Sequence, residues 1–392
     1  MKRTMTKSIL ALAFAAGMAS AAHATQGVSD TEVVIGSNGD LSGVFAAFNV
    51  GAIKAAQMAF DEANAKGGIH GRKIRFVVED HGYQVPKAVQ NFNKLINQDQ
   101  VFAMILNLGT PHNIAGFPLM EAKQVANVGP LTAGRQMLEG DITYKYAGFS
   151  SYYNQIRAGI DHLVKETGAK ELCSMYMPQD FGLEVYEATK AKAEELGLSY
   201  AAETTHKPGE QDFVGAIQKL KEAGCDIVTT AIGVRETITA YATARKLGWN
   251  DVAFIGSSAG FNTAVAKVPG GVTEGYYAAA GWSDFENRLG TPAVKEWAEA
   301  YQKATGEPAG TAAQLGYSAA KTLLMALEGA GKDLTAESFK TAMEGVKYQD
   351  EINDVAIDVG PDHQGGNLIV ISKIEGGKWI EVGRLEEEAK SQ

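Results

Sequence analysis

Short apolar runs alternate with amphipathic helical stretches, the alternation restarts near residue 171, and the final third supplies too few elements to bury a core of its own. These three observations predict an α/β protein of two doubly wound parallel-sheet lobes built from right-handed βαβ units. The length of 392 residues fits, at roughly 150 residues per domain.

Residues 32–38 (EVVIGSN) read as the first strand, and 50–66 as a helix with Ile53, Ala56 and Phe60 on one face, closed by Gly67-Gly68. Residues 73–80 form a second strand, and 86–98 a helix with proline in its first turn. Residues 101–107 (VFAMILN) are apolar almost throughout, as a strand covered on both faces should be. A helix at 114–123 and a strand at 124–129 continue the alternation. In the second half, strands are expected at 171–177, 199–206, 226–232 and 251–258, with helices at 181–197 and 234–248 between them. Asp212 is placed to cap a further helix carrying Phe213, Ile217 and Leu220 on one face. Three more helices, 292–306, 311–331 and 335–346, lead to a terminal hairpin of 367–372 and 379–382. These last elements are expected to pack onto the two lobes, so the chain must cross between lobes more than once.

The first 24 residues carry Lys2, Arg3 and Lys7, then a short apolar core, then Ala22-His23-Ala24. That order is a secretion signal, and cleavage is expected after Ala24, giving a soluble, periplasmic protein. No cysteine follows the apolar core, so no lipid anchor is expected. The formal charge is −10, or −13 without the three basic residues of the leader. Such an acidic chain argues against nucleic acid as a partner, because phosphate binding needs a basic face. Cys173 and Cys225 are the only cysteines. An oxidising compartment permits one bridge between them, but placed on or beside neighbouring strands, where bridging geometry is often poor, they read rather as two buried thiols.

Gly256-Ser257-Ser258-Ala259-Gly260 matches the G-x-S-x-G elbow of serine hydrolases and follows a strand. A hydrolase using Ser258 would draw on Asp284 and His363; an ordinary βα turn is the competing reading. None of the seven histidines has a metal-ligand spacing, so no metal or cofactor is expected. Thr110-Pro111-His112-Asn113 and Leu131-Thr132-Ala133-Gly134 follow neighbouring strands. Ligands of open parallel sheets bind beyond the carboxyl ends of the strands, where such hydroxyls and N–H groups can hold a carboxylate.

Several segments resemble the type I periplasmic solute-binding proteins of ABC importers, the leucine/isoleucine/valine-binding family. They are VIGSNGDLSG from Val34, FDEANAKGGIHGRKIRFVV from Phe60, the Gly82-Tyr83 pair, LGTPHN from Leu108, QDFG from Gln179 and GEQDFVGAIQKL from Gly209. The resemblance spans nearly the whole mature chain. It implies two lobes joined by a three-crossover hinge: residues 25–146 with 280–352, and 147–279 with 353–392. The crossings would fall near 146–149, 277–281 and 350–354. It implies a non-enzymatic protein, a monomer, that captures a small solute by hinge closure and hands it to ABC permease membrane subunits. A sensory protein feeding a membrane receptor is the related alternative.

The family's ligand positions carry over to Phe48, Thr110, Leu131, Thr132, Ala133 and Phe181. Two positions depart from the amino-acid-binding pattern: Gly233 stands where an aromatic hydroxyl is usual, and Ser258 where an acid pairs the α-ammonium. An ammonium buried without a carboxylate costs on the order of several kcal/mol. The ligand is therefore expected to be an amino acid or an aromatic or aliphatic carboxylate, the departures favouring one without an amine. Arg135 or Arg235 could hold its carboxylate; Glu236 or Asp284 could supply a missing acid.

Overall fold

The computed structural model describes residues 25–386; the expected leader at 1–24 lies outside them. The first sheet opens with β1 (Glu32–Gly39), followed by α1 (Ala46–Ala65), β2 (Lys73–Asp80) and α2 (Val85–Asn93), which widens into a π-helical turn, Lys94–Gln98. Next come β3 (Ala103–Ile105), α3 (Thr110–Ala122), β4 (Ala126–Val128) and β5 (Lys145–Tyr146). All pairs are parallel, in the order β2-β1-β3-β4-β5. Successive residues of a strand face opposite sides. Accordingly Val33 and Ile35 join the core under α1, while Val34 joins the core under α2 and α3.

The second sheet is built from α4 (Tyr152–Thr167), β6 (Glu171–Tyr176), α5 (Asp180–Leu196), β7 (Ser199–Thr205), α6 (Val214–Glu222), β8 (Ile227–Ala231), α7 (Val234–Lys246), β9 (Ala253–Gly256), α8 (Thr263–Ala266) and β10 (Tyr277–Ala280). Three helices follow: α9 (Pro292–Thr305), α10 (Thr311–Ala330) and α11 (Ala336–Glu344). A ribbon of β11 (Lys347–Asp350) and β12 (Val355–Asp358) and the hairpin β13 (Leu368–Glu375) and β14 (Lys378–Glu386) end the described chain. The hairpin joins the second sheet, β13 running antiparallel to β10, in the order β14-β13-β10-β9-β8-β6-β7.

The late helices return to the first sheet. Gly316 of α10 lies so close to α1 that a Cβ would sit 2.1 Å from the Ala52 carbonyl oxygen. Glycine is what permits that approach, and it fixes the neighbouring Leu315 beside the cleft. On α9, Val294, Trp297 and Tyr301 are buried on one face, against Ala55 and Met58 of α1.

Several expectations need correction. The strand expected over 101–107 pairs only at Ala103–Ile105, because Leu106 takes a left-handed φ of 56° and turns the chain out of the ladder. The helix expected from 114 begins at Thr110, with Pro111 in its first turn. Asp212 accepts the N–H of Val214 at 2.9 Å but precedes the N-cap, which is Phe213. Residues 350–354 turn β11 into β12, and the chain reaches the second sheet through 359–367, where Gln364 bridges Ala147. The two cysteines are bridged rather than free. Cys225 lies in the turn before β8, outside the ladder, and its Cα is 5.8 Å from that of Cys173, within bridging range.

Candidate functional site

Buried asparagines bind together the carboxyl ends of β1, β3 and β4. The Asn38 N–H donates to Asn107 Oδ1 at 2.8 Å, Asn107 Nδ2 to Asn127 Oδ1 at 2.9 Å, and Asn127 Nδ2 to Asn113 Oδ1 at 2.9 Å. Asn113 Nδ2 in turn donates to the Gly109 carbonyl at 2.8 Å, closing the network around the start of α3. Satisfied buried networks of this kind rigidify what they hold. Here they hold Gly109 and Thr110, at the helix end whose dipole favours negative charge.

Beyond these strand ends, between the two sheets, lies a cavity of about 510 Å³ of atom-free space, its mouth included. Its polar end is made by Thr110, Thr132 and Tyr152. Thr110 Oγ1 and Thr132 Oγ1 are 2.6 Å apart, and the Tyr152 hydroxyl shares the Thr132 hydroxyl. Burial raises the Tyr152 and Tyr83 phenols above their ordinary range, so both keep their protons. The remaining wall is aromatic and aliphatic, with Phe45, Phe48, Phe149, Phe181 and Trp282 among its side chains. Phe181, from over the second sheet, meets Phe45, from the first, edge to face at 5.8 Å between centroids. Every lining side chain is uncharged.

Phe48, Thr110, Leu131, Thr132, Ala133, Phe181 and Ser258 all line this cavity; Gly233 does not. Gly233 caps α7 instead, and a Cβ there would lie 2.2 Å from Glu236 Oε2. Neither arginine considered for a carboxylate reaches the cavity. Arg135 Nη2 is paired with Glu187 Oε2 at 2.8 Å, and Arg235 is exposed. Glu236 and Asp284 are buried but are not part of the lining. Sequence reasoning passed over Tyr83, Phe149, Tyr152, Trp282 and Leu315 as lining residues. Phe149 and Trp282 stand at or beside two expected crossings, a position that could have flagged them; Leu315 carries no local signal.

The partners a hydrolase would need sit elsewhere. His363 Nδ1 contacts the Ile142 and Lys145 carbonyls at 2.8 and 2.9 Å, and its ring stacks on Tyr146. Asp284 accepts the N–H of Glu286 at 3.4 Å. The backbone N–H of Ser258 donates to Gln155 Oε1 at 2.8 Å, which aims the residue into the cavity wall without a base beside it.

Residues 32–378 match the family described as periplasmic binding protein. The chain belongs to that family. This binding protein is 25% identical to the Leu/Ile/Val-binding protein homolog 7 of Brucella suis biovar 1, over 94% of its own length and 96% of the relative's. It is 26% identical to an amino acid binding protein of Pseudomonas aeruginosa, over 58% of this chain and 59% of that one. Its structure matches the fatty acid ABC transporter substrate-binding protein from Thermomonospora curvata with a TM-score of 0.83 and 26% identity, covering 93% and 95% of the two chains. The type I binding-protein fold expected from the sequence is the fold observed.

In this binding protein the cleft is clasped on two sides. Glu184 of α5 accepts the N–H of Arg135, from the loop after β4, at 2.9 Å, and that of Tyr153 at 3.0 Å. Arg135 also lies over the Tyr153 ring, 4.4 Å from its centroid. On the other side Thr263 and Thr311 exchange bonds, each backbone N–H donating to the other's hydroxyl at 3.0 and 2.9 Å. No helix among the described residues is long and apolar enough to cross a membrane.

Proposed function

We propose that this solute-binding protein captures a small organic carboxylate without an α-ammonium, aromatic or aliphatic, and delivers it to the membrane subunits of an ABC importer. The observation that carries the reading is the uncharged lining of the interlobe cavity, with hydroxyl donors gathered at one end. A carboxylate gains from Thr110, Thr132 and Tyr152 and from the start of α3. An ammonium entering the same space would lose its hydration without a counter-charge. Phe48, Thr110, Leu131, Thr132, Ala133, Phe181 and Ser258 are the proposed contacts.

In this reading residues 25–146 with 280–358 form one lobe, and 147–279 with the terminal hairpin the other. The sheet membership of the strands supports that division. The protein works as a monomer in the periplasm after cleavage behind Ala24, performs no chemistry, and closes its lobes on the ligand. A receptor in place of a permease would use the same closed form.

One observation favours an amino acid instead. Glu236 Oε2, in the first turn of α7, is buried without a hydrogen-bond partner. A shift of α7 could bring that oxygen to an ammonium. The test is to release whatever the protein carries from its host by denaturation and identify it by mass spectrometry. An acid without an amine is expected; a branched-chain amino acid would overturn the proposal and point to Glu236.

A further inference from the structure

A second cavity lies directly behind the first. It spans about 430 Å³ of atom-free space, its open mouth included, beneath the end of β4, residues 146–149, α10 and the β11–β12 ribbon. Phe149 and Leu315 line both cavities, so these two side chains are the partition between them. On α10, Leu315, Ser318, Ala319 and Thr322 share one face and all line the second cavity. At 1.5 Å per residue, that face runs roughly 10 Å inward from Leu315.

The second cavity offers little to a polar group. Its lining is uncharged. Its hydroxyls are already engaged: Ser318 with Asp350, Thr322 with Tyr348 at 3.0 Å, and Tyr146 with the Thr143 carbonyl at 3.4 Å. The remaining wall is Val128, Met343, Ile357, Val359 and small residues. Small residues create the room. Gly129 has φ 51°, and a Cβ there would sit 3.1 Å from the Ala319 methyl. Apolar cavities of this kind take up apolar groups.

We propose that the second cavity is a tail chamber, and that the ligand is a carboxylate bearing a flexible aliphatic chain. This rests on the carboxylate reading of the interlobe site. The carboxylate sits at Thr110 and Thr132, and the chain passes between Phe149 and Leu315 to lie along α10. Both groups that part the cavities are side chains, Phe149 and Leu315. A rigid aromatic acid fills the first cavity alone, whereas each added methylene of a straight chain enters a largely apolar space.

The test is calorimetric titration of the protein, unfolded and refolded to free it of ligand, with straight-chain acids from butanoate to decanoate and with benzoate. Burying a methylene favours binding by about fourfold, so affinity is expected to keep climbing by roughly that factor per carbon to octanoate or beyond. Ala319→Phe, which fills the chamber, is expected to weaken decanoate more than tenfold and leave benzoate unchanged. Affinity that levels off by pentanoate, while benzoate and butanoate bind, would overturn the tail chamber and leave the carboxylate reading intact. So would a folded Ala319→Phe variant that binds decanoate as well as the parent. If that variant does not fold, the chain-length series on the parent protein decides alone. Failure of every acid, benzoate included, would overturn both readings.

Discussion

Thr110 Oγ1 and Thr132 Oγ1 lie 2.6 Å apart, although they come from two different strand ends and are separated by 22 positions in the chain. One hydroxyl donates to the other, and Tyr152 also bonds Thr132, so the three hydroxyls form one chain with a single hydrogen left over for an acidic ligand. A hydrogen bond to a charged group is worth roughly 1.5–3 kcal/mol. Thr110→Val and Thr132→Val should therefore each weaken carboxylate binding by about ten- to a hundredfold. Melting temperature without ligand should change far less, and calorimetry beside a thermal melt separates the two effects.

Ser258 reaches the cavity with no charged neighbour in the lining. Placing a carboxylate there by Ser258→Asp would set like charge against an acidic ligand, and opposite charge against an amine. The variant is expected to lose carboxylate affinity by more than tenfold and to gain a measurable response to leucine. Titration of both ligands against the variant checks this.

Glu184 gives the clasp a pH dependence. Burial, working against the N–H groups of Arg135 and Tyr153, pushes its carboxyl up to about 7. A carboxyl raised on folding contributes stability that is complete below the unfolded value near 4.5 and is lost as pH rises through 7. Asp284, also pushed to about 7 by burial, acts in the same direction. His81 and His112, held down to about 4 by burial, act oppositely between 4 and 6.5. The readout is thus the difference between parent and Glu184→Gln. Melting temperature of the parent relative to the variant should fall between pH 5 and 8; a relative rise would contradict the assignment.

The Cys173–Cys225 bridge joins positions 52 apart at the amino ends of β6 and β8, away from the cavity. Loop-closure entropy for that span is about 4 kcal/mol. Reduction should lower unfolding free energy by up to that amount in denaturant titrations and leave ligand affinity unchanged.

Alternation of strand and helix was legible because covering both faces of a parallel sheet demands it, and Val33, Val34 and Ile35 obey it on both sides. The hydroxyls of Thr110 and Thr132 were legible because strand ends converge by topology. What local sequence hid were the long-range events. Leu315 reaches the cavity only because Gly316 lets α10 press on α1, 264 positions away from Ala52. The disulfide depended on how one turn bends before β8. Gly233 stands outside the lining, with Glu236 filling the space beside it.

The proposed cleft recognises a carboxylate and no ammonium. Leucine and 4-methylpentanoate share a carbon skeleton and a carboxylate and differ only in the amine. Titrating both into refolded, ligand-free protein isolates that one group. 4-Methylpentanoate is expected to bind at least a hundredfold tighter than leucine. Leucine binding as tightly or more tightly would contradict it and place an acid, Glu236 first, at the ligand's amine.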